Sequence, residues 1–285
     1  MKKLSFSLSA LGLFGYLILM TNCNPKTKTI DNPVQFDTIQ VNESYYINND
    51  TTSPGCNIRI EFVYPDSIKN MKNIRNVQNV FLEKILGESF KDKNPELVIQ
   101  EFTSQYKEDF NKFVSHTNDS EYGEDENIYD DETGYSYYIH LHDNILYNKD
   151  NFISFTVENL SYEGGAHNSK SVYGYVYNLN TNKMLGENDF AGSKYMENIS
   201  ALLAEKIAEA NGVKNIKDLE NLGYSSVSDI KPNNNFTLDE KGITYYFNEN
   251  EIAGTMVGIT RVFIPYEELS VYIQKESPIS VLTSF

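Results

Sequence analysis

Tryptophan is absent from the 285 residues, cysteine occurs twice and histidine four times. Neither G-x-S-x-G nor H-E-x-x-H occurs, so the spacings that mark a nucleophile elbow or a helical zinc pair are missing. Basic residues are also scarce: 24 Lys and Arg stand against 40 Asp and Glu, a formal charge of −16. That balance excludes nucleic acid and anionic lipid surfaces as partners and favours cationic ones. No internal repeat is present. With no constellation to which catalytic roles can be assigned, no cofactor is expected and the chain reads as non-enzymatic.

The apolar run that stands out is at the N-terminus, "MKKLSFSLSALGLFGYLILMTNCN". Lys2 and Lys3 precede an uncharged segment from Leu4 to Met20, the pattern of an export signal covering residues 1–22. Its end, Met20-Thr21-Asn22-Cys23, has the shape of a lipobox, which makes Cys23 the lipid-attachment residue and the membrane a partner through that lipid. The expected location is the cell envelope, outside the cytoplasm. Loss of Lys2 and Lys3 takes the mature charge to about −18. Cys56 then has no internal partner. It opens "CNIRIEFVYP", an alternating strand, where a cysteine acts as a small buried hydrophobe.

Residues 23–33 lack periodicity and form a tether. Beyond it the pattern predicts strands at 36–47 and 56–64, the second closed by Pro65. A helix follows over about 70–90, with Ile74, Val77, Val80, Phe81 and Ile85 on one face. A second helix starts at Pro95 and carries Ile99, Phe102, Tyr106, Phe110 and Phe113. Strands are predicted at 135–147, 152–162 and 171–179, with "NKDN" and "NSK" as turns, then a third helix at 195–210. Strands at 235–238, 243–248 and 258–264 complete the pattern. Helices in blocks between blocks of strands indicate an α+β fold, a largely antiparallel sheet packed with three main helices. Two intimately associated subdomains are expected, 34–134 and 135–285.

Three stretches invite a functional interpretation. The first is residues 118–134, "NDSEYGEDENIYDDETG", with eight acids and no base: Asp119, Glu121, Glu124, Asp125, Glu126, Asp130, Asp131 and Glu132. It fails as an EF-hand, because counting from Asp119 the glycine falls at the fifth position and not the sixth. As a solvated acidic loop it is a candidate recognition surface for a basic partner. The second is His140 and His142, two apart on a predicted strand and therefore on one face. With His167 or Glu163 they form the weaker alternative of a zinc site, and a tight hairpin would set Glu158 opposite His140. The third is "YEGGAH", in which Tyr162, Glu163, Gly164, Gly165 and His167 line either a ligand pocket or a fold-defining turn whose glycines supply backbone freedom.

The same "YEGGAH" is followed by "NFTLDEKG", "EIAG" and "IPYEEL", and this ordered set resembles a family of exported bacterial domains. It is the extracytoplasmic domain shared by RsiV-like anti-sigma factors and PdaC-like peptidoglycan deacetylases. The matching residues are Tyr162 to His167, Phe236-Thr237-Leu238 with Gly242, Glu251-Ile252-Ala253, and Ile264-Pro265-Tyr266 with Leu269. The chain departs from the family at Gly254-Thr255, where relatives carry Pro-Tyr. The resemblance implies a non-enzymatic recognition module that binds lysozyme, another basic protein, or cell-wall glycan. The alternative it leaves open is a peptidoglycan-modifying hydrolase or deacetylase with a histidine or metal site.

Overall fold

The computed structural model describes residues 31–32, 34–68, 74–119, 136–164, 167–192 and 194–283. The fold is α+β. Six strands form one sheet in sequence order: β1 (Val34–Tyr46), β2 (Gly55–Ile68), β3 (Tyr137–Lys149), β4 (Phe152–Tyr162), β5 (Ser169–Asn178) and the short β6 (Lys183–Met184). All neighbours are antiparallel except β2 and β3, which are parallel. The parallel step is made by a crossover that includes α1 (Arg75–Phe81) and α2 (Pro95–Asp119). A parallel pair requires such a long connection, whereas β3 and β4 need only two residues. Those two, Asp150 and Asn151, have φ of 53° and 65°, the left-handed pair of a tight hairpin turn.

A second sheet of three antiparallel strands follows: β7 (Phe236–Leu238), β8 (Gly242–Phe247) and β9 (Thr260–Pro265). The layers run α1 and α2, the large sheet, the small sheet, then α3 (Tyr195–Ala210). Strand β4 shows why both of its faces are buried. Ile153, Phe155 and Val157 point to the helix side, where Phe155 stacks on Phe81 at 4.2 Å, while Phe152 joins the core beneath α3. A strand covered on both faces reads as a continuous apolar run, as "FISFTV" does. The boundary at residue 134 falls between α2 and β3, so the two halves of the chain share the large sheet through the β2–β3 pairing.

Two details differ from the sequence pattern. Strand β2 does not end at Pro65 but runs on to Ile68. Pro65 faces the side of β2 that β3 has already left, since their pairing stops at Glu61 and His142. The missing N–H therefore breaks no ladder bond. The first helix is shorter than expected. It is α-helical from Arg75, widens to a π-helical turn over 82–86, and stops at Gly87, whose φ is +110°. Helix α2 begins at Pro95 and α3 spans 195–210, as their periodicity predicts.

The two sheets meet at Gly174. A Cβ there would lie 2.6 Å from the carbonyl carbon of Phe236, well inside contact distance. Beside it, the outer edge of β5 is closed by a side chain. Asn235 Nδ2 donates to the Val172 carbonyl at 3.0 Å, and its Oδ1 accepts from Gly174 N–H at 2.6 Å. Asn248 Oδ1 accepts from Val172 N–H at 2.7 Å. These amides do the work of a neighbouring strand on an otherwise unpaired edge.

The Gly174→Ala variant should lose about 1–3 kcal/mol or more, because the new methyl pushes the sheets apart. Gly254→Ala, where no atom lies within 4 Å of the added Cβ, should change stability by less than about 0.5 kcal/mol. Urea denaturation of the two variants against the parent checks the contrast.

Candidate functional site

The "YEGGAH" turn joins β4 to β5. At Gly164 the backbone has φ +83°, and an added Cβ would sit 2.2 Å from Phe113 Cε2 on α2. Glycine is needed there twice over, for the left-handed backbone and for the ring packed against it. Tyr162 is buried, while Glu163 and His167 are exposed. Gly165 and Ala166 lie outside the described residues. The turn thus locks the end of the sheet onto α2 and presents Glu163 and His167 to solvent.

The two neighbouring histidines lie elsewhere, on the face of the large sheet opposite α2. Register builds this face row by row. Arg59, His140, Leu160 and Lys170 lie in one row across β2 to β5, and Glu61, His142, Glu158 and Val172 lie in the next. Glu158 is therefore paired with His142, and Leu160 takes the place opposite His140. The side chains enclose a shallow groove of about 300 Å³. Within it His142 Nδ1 lies 3.3 Å from Glu61 Oε2, and Arg261 of β9 bonds Glu158 at 3.1 Å. His140 Nε2 is 3.0 Å from Asn57 Oδ1. Since the Asn57 amide nitrogen donates to the Glu43 carbonyl, its oxygen is the acceptor and Nε2 carries the proton. Burial, then the nearby Arg59 guanidinium, hold the His140 pKa below its ordinary value, which leaves Nδ1 as a free lone pair at neutral pH.

His167 and Glu163, the third ligands considered for zinc, do not line this groove. Among the described residues no three His, Cys, Asp or Glu side chains are grouped to hold a metal ion. His116 is on the exposed side of α2, its Nδ1 2.6 Å from the Lys112 carbonyl. Cys56 is fully buried on the helix side, and burial pushes its thiol up to about 12, so it is inert. Cys23 and the acidic residues Glu121 to Glu132 lie outside the described residues, as does the side chain of Asp119. Among the described residues no helix is long and apolar enough to cross a membrane.

Two buried acids escaped the sequence pattern. Asp143 is fully buried, and its Oδ1 accepts the Val63 N–H at 2.8 Å. It caps β2 just where β3 stops pairing with it. Burial raises its carboxyl to about 8. Glu187 Oε1 accepts the Asn234 N–H at 3.0 Å, and Asn234 Oδ1 accepts the Glu187 N–H at 2.9 Å. This reciprocal clasp, with the buried Tyr195–Tyr245 hydroxyl pair at 2.8 Å beside it, holds the approach to β7. Both acids are structural ties. Arg59, Glu61 and Lys170 were also unmarked. Alternation puts Arg59 and Glu61 on the polar face of "CNIRIEF", but only register brings them to the histidines.

The residues of the "FTL", "EIA" and "IPYEEL" motifs contribute to the core of the second half. Phe236, Leu238, Ile252, Ile264, Tyr266 and Leu269 are each no more than 3% exposed. Residues 187–267 match the family model described as "Protein of unknown function (DUF3298)". A DUF3298-family member from Bacteroides fragilis is 27% identical with a TM-score of 0.75, over 88% of this chain and 97% of that one. A DUF3298-family protein from Pseudomonas aeruginosa has the same fold at 14% identity and TM-score 0.56, over 86% of this chain and 96% of that one. No curated protein matches the chain.

Gly164→Ala should destabilise the fold by more than the roughly 1 kcal/mol that a left-handed alanine costs. Adding Phe113→Ala should recover the steric part and leave the backbone part, a coupling that a double-mutant cycle in urea reads directly. Asp143 gives a pH test. Its folded pKa, about 8, lies above its unfolded value, so its contribution is complete below about pH 4 and is lost as pH rises toward 8. Asp143→Asn keeps the acceptor for Val63 and does not titrate. Its stability relative to the parent should improve by up to about 1.4 kcal/mol per pH unit across that window.

Proposed function

We propose that this protein is a lipid-anchored, non-enzymatic recognition module of the cell envelope, held through Cys23, that binds a basic protein such as lysozyme. The observation that carries the proposal is charge. Eight acids between Asp119 and Glu132 contribute half of the formal −16 and meet no base in that segment. The described elements that flank the segment in sequence, α2 and β3, meet at one end of the large sheet. Helix α2 packs Phe113 on Gly164, and Tyr138 at the start of β3 pairs with Tyr162. A basic partner approaching that end meets a field that speeds encounter. The resemblance to the extracytoplasmic modules of anti-sigma factors supports lysozyme as the first partner to test. Cell-wall glycan is the other ligand class that the resemblance offers.

Calorimetric titration with lysozyme at low and at high salt tests the proposal. Binding should be measurable at low salt and weaken steeply as the Debye length shrinks from about 30 Å at 0.01 M to about 8 Å at 0.15 M. Replacing the eight acids by their amides should abolish it. Absence of binding at low salt would reject the lysozyme form of the proposal.

A further inference from the structure

The groove on the outer face of the large sheet gathers three cationic side chains, Arg59 and Lys170 in its lining and Arg261 beside it, against two acids, Glu61 and Glu158. The sequence contains three arginines, and two of them, Arg59 and Arg261, lie at this groove. Its two acids are already engaged, Glu61 with His142 and Glu158 with Arg261. Among the described residues Arg59 and Lys170 make no ion pair, and both are exposed. They stand at the two ends of one row, three strand spacings apart, roughly 14 Å between backbones. Long side chains on both can reach inward over Leu160 and His140.

The floor between them is mixed. Leu160 offers an apolar surface, and His140 Nδ1 offers an acceptor because its other nitrogen is committed to Asn57. Two cations with no acid of their own, an acceptor for a hydroxyl, and a small apolar floor describe a ligand with a carboxylate, hydroxyl groups and one apolar face. A sugar acid has all three.

We infer that the row Arg59–His140–Leu160–Lys170 is a binding site for a sugar acid, its carboxylate held by Arg59 and Lys170 and a hydroxyl donated to His140 Nδ1. The inference rests on Arg59, His140, Leu160 and Lys170 and uses none of the eight acids, so it is tested independently of lysozyme binding. It also gives the glycan class a specific requirement, a carboxylate on the sugar.

The test is ligand-observed NMR with the full chain against N-acetylmuramic acid, glucuronic acid and N-acetylglucosamine. At least one acid should bind while the neutral sugar does not, and the pair of acids separates a muramyl carboxylate from a uronic one. Arg59→Gln and Lys170→Gln should each weaken that binding by about ten-fold or more while thermal unfolding stays unchanged, since both side chains are exposed. Failure of both acids to bind, equal binding of the neutral sugar, or unchanged affinity in both variants would overturn the inference. A lysozyme result in either direction would not bear on it.

Discussion

The architecture depends on the contact where the small sheet lies on β5. Gly174 has no side chain, so the backbone of Phe236 comes to the place a Cβ would occupy, and Asn235 closes the edge of β5 with a bidentate amide. Both residues are required in the same place. Without the glycine, β7 could not approach. Without the amide, the Val172 carbonyl and the Gly174 N–H would lose their partners near a buried interface, at a cost of about 1–3 kcal/mol for each polar group left unmade. Glu187 and Asn234 clasp each other immediately before this joint, which fixes the direction in which the chain enters β7. The buried motif residues Phe236, Leu238, Ile264 and Tyr266 then fill the space that the joint creates under α3. These motif residues are thus core residues around one close approach.

The large sheet divides its two faces between different tasks. Its helix side is a dense aromatic core, with Phe81 on Phe155 and Tyr106, Phe110 and Phe113 around Tyr137. Its opposite face is covered by the small sheet along β4 and β5 but left open where Arg59, His140 and His142 stand. Asp143 illustrates the division. It is in the strand of the two histidines, but its odd position turns it to the buried side, where it serves Val63 and is raised to about 8 by burial. Alternation along one strand therefore separates a structural acid from groove-lining imidazoles by a single residue.

Much of this was legible from residue patterns. The periodicity of Ile99, Phe102, Tyr106, Phe110 and Phe113 marked α2, and Pro95 marked its first turn. "NKDN" marked the β3–β4 hairpin, where Asp150 and Asn151 take left-handed φ. The run of Val77, Phe81 and Ile85 identified a buried face but not the π-helical turn within it, since all three contacts survive the widening. Pro65 looked like a strand end because a local rule cannot know that the adjacent strand has already departed. The pair His140 and His142 was visible as a shared face, whereas Glu158 was assigned to the wrong histidine, because register is set by the hairpin and its bulge at Ile145/Tyr147.

What the sequence determined by itself was local and compositional: the identity of most strands and helices, the buried role of Cys56, the glycine requirement at the "YEGGAH" turn, and the acidic balance of the chain. Those follow from periodicity, backbone sterics and charge, each of which acts over a few residues or over the whole chain without regard to topology. Tertiary structure decided the rest. The parallel pairing of β2 with β3 brought Arg59 and Glu61 to the histidines across about 80 residues of chain. The stacking of two sheets made Gly174 and Asn235 indispensable, although neither stands out in its own neighbourhood. Long-range register and close packing create these relations, and a linear pattern does not carry them.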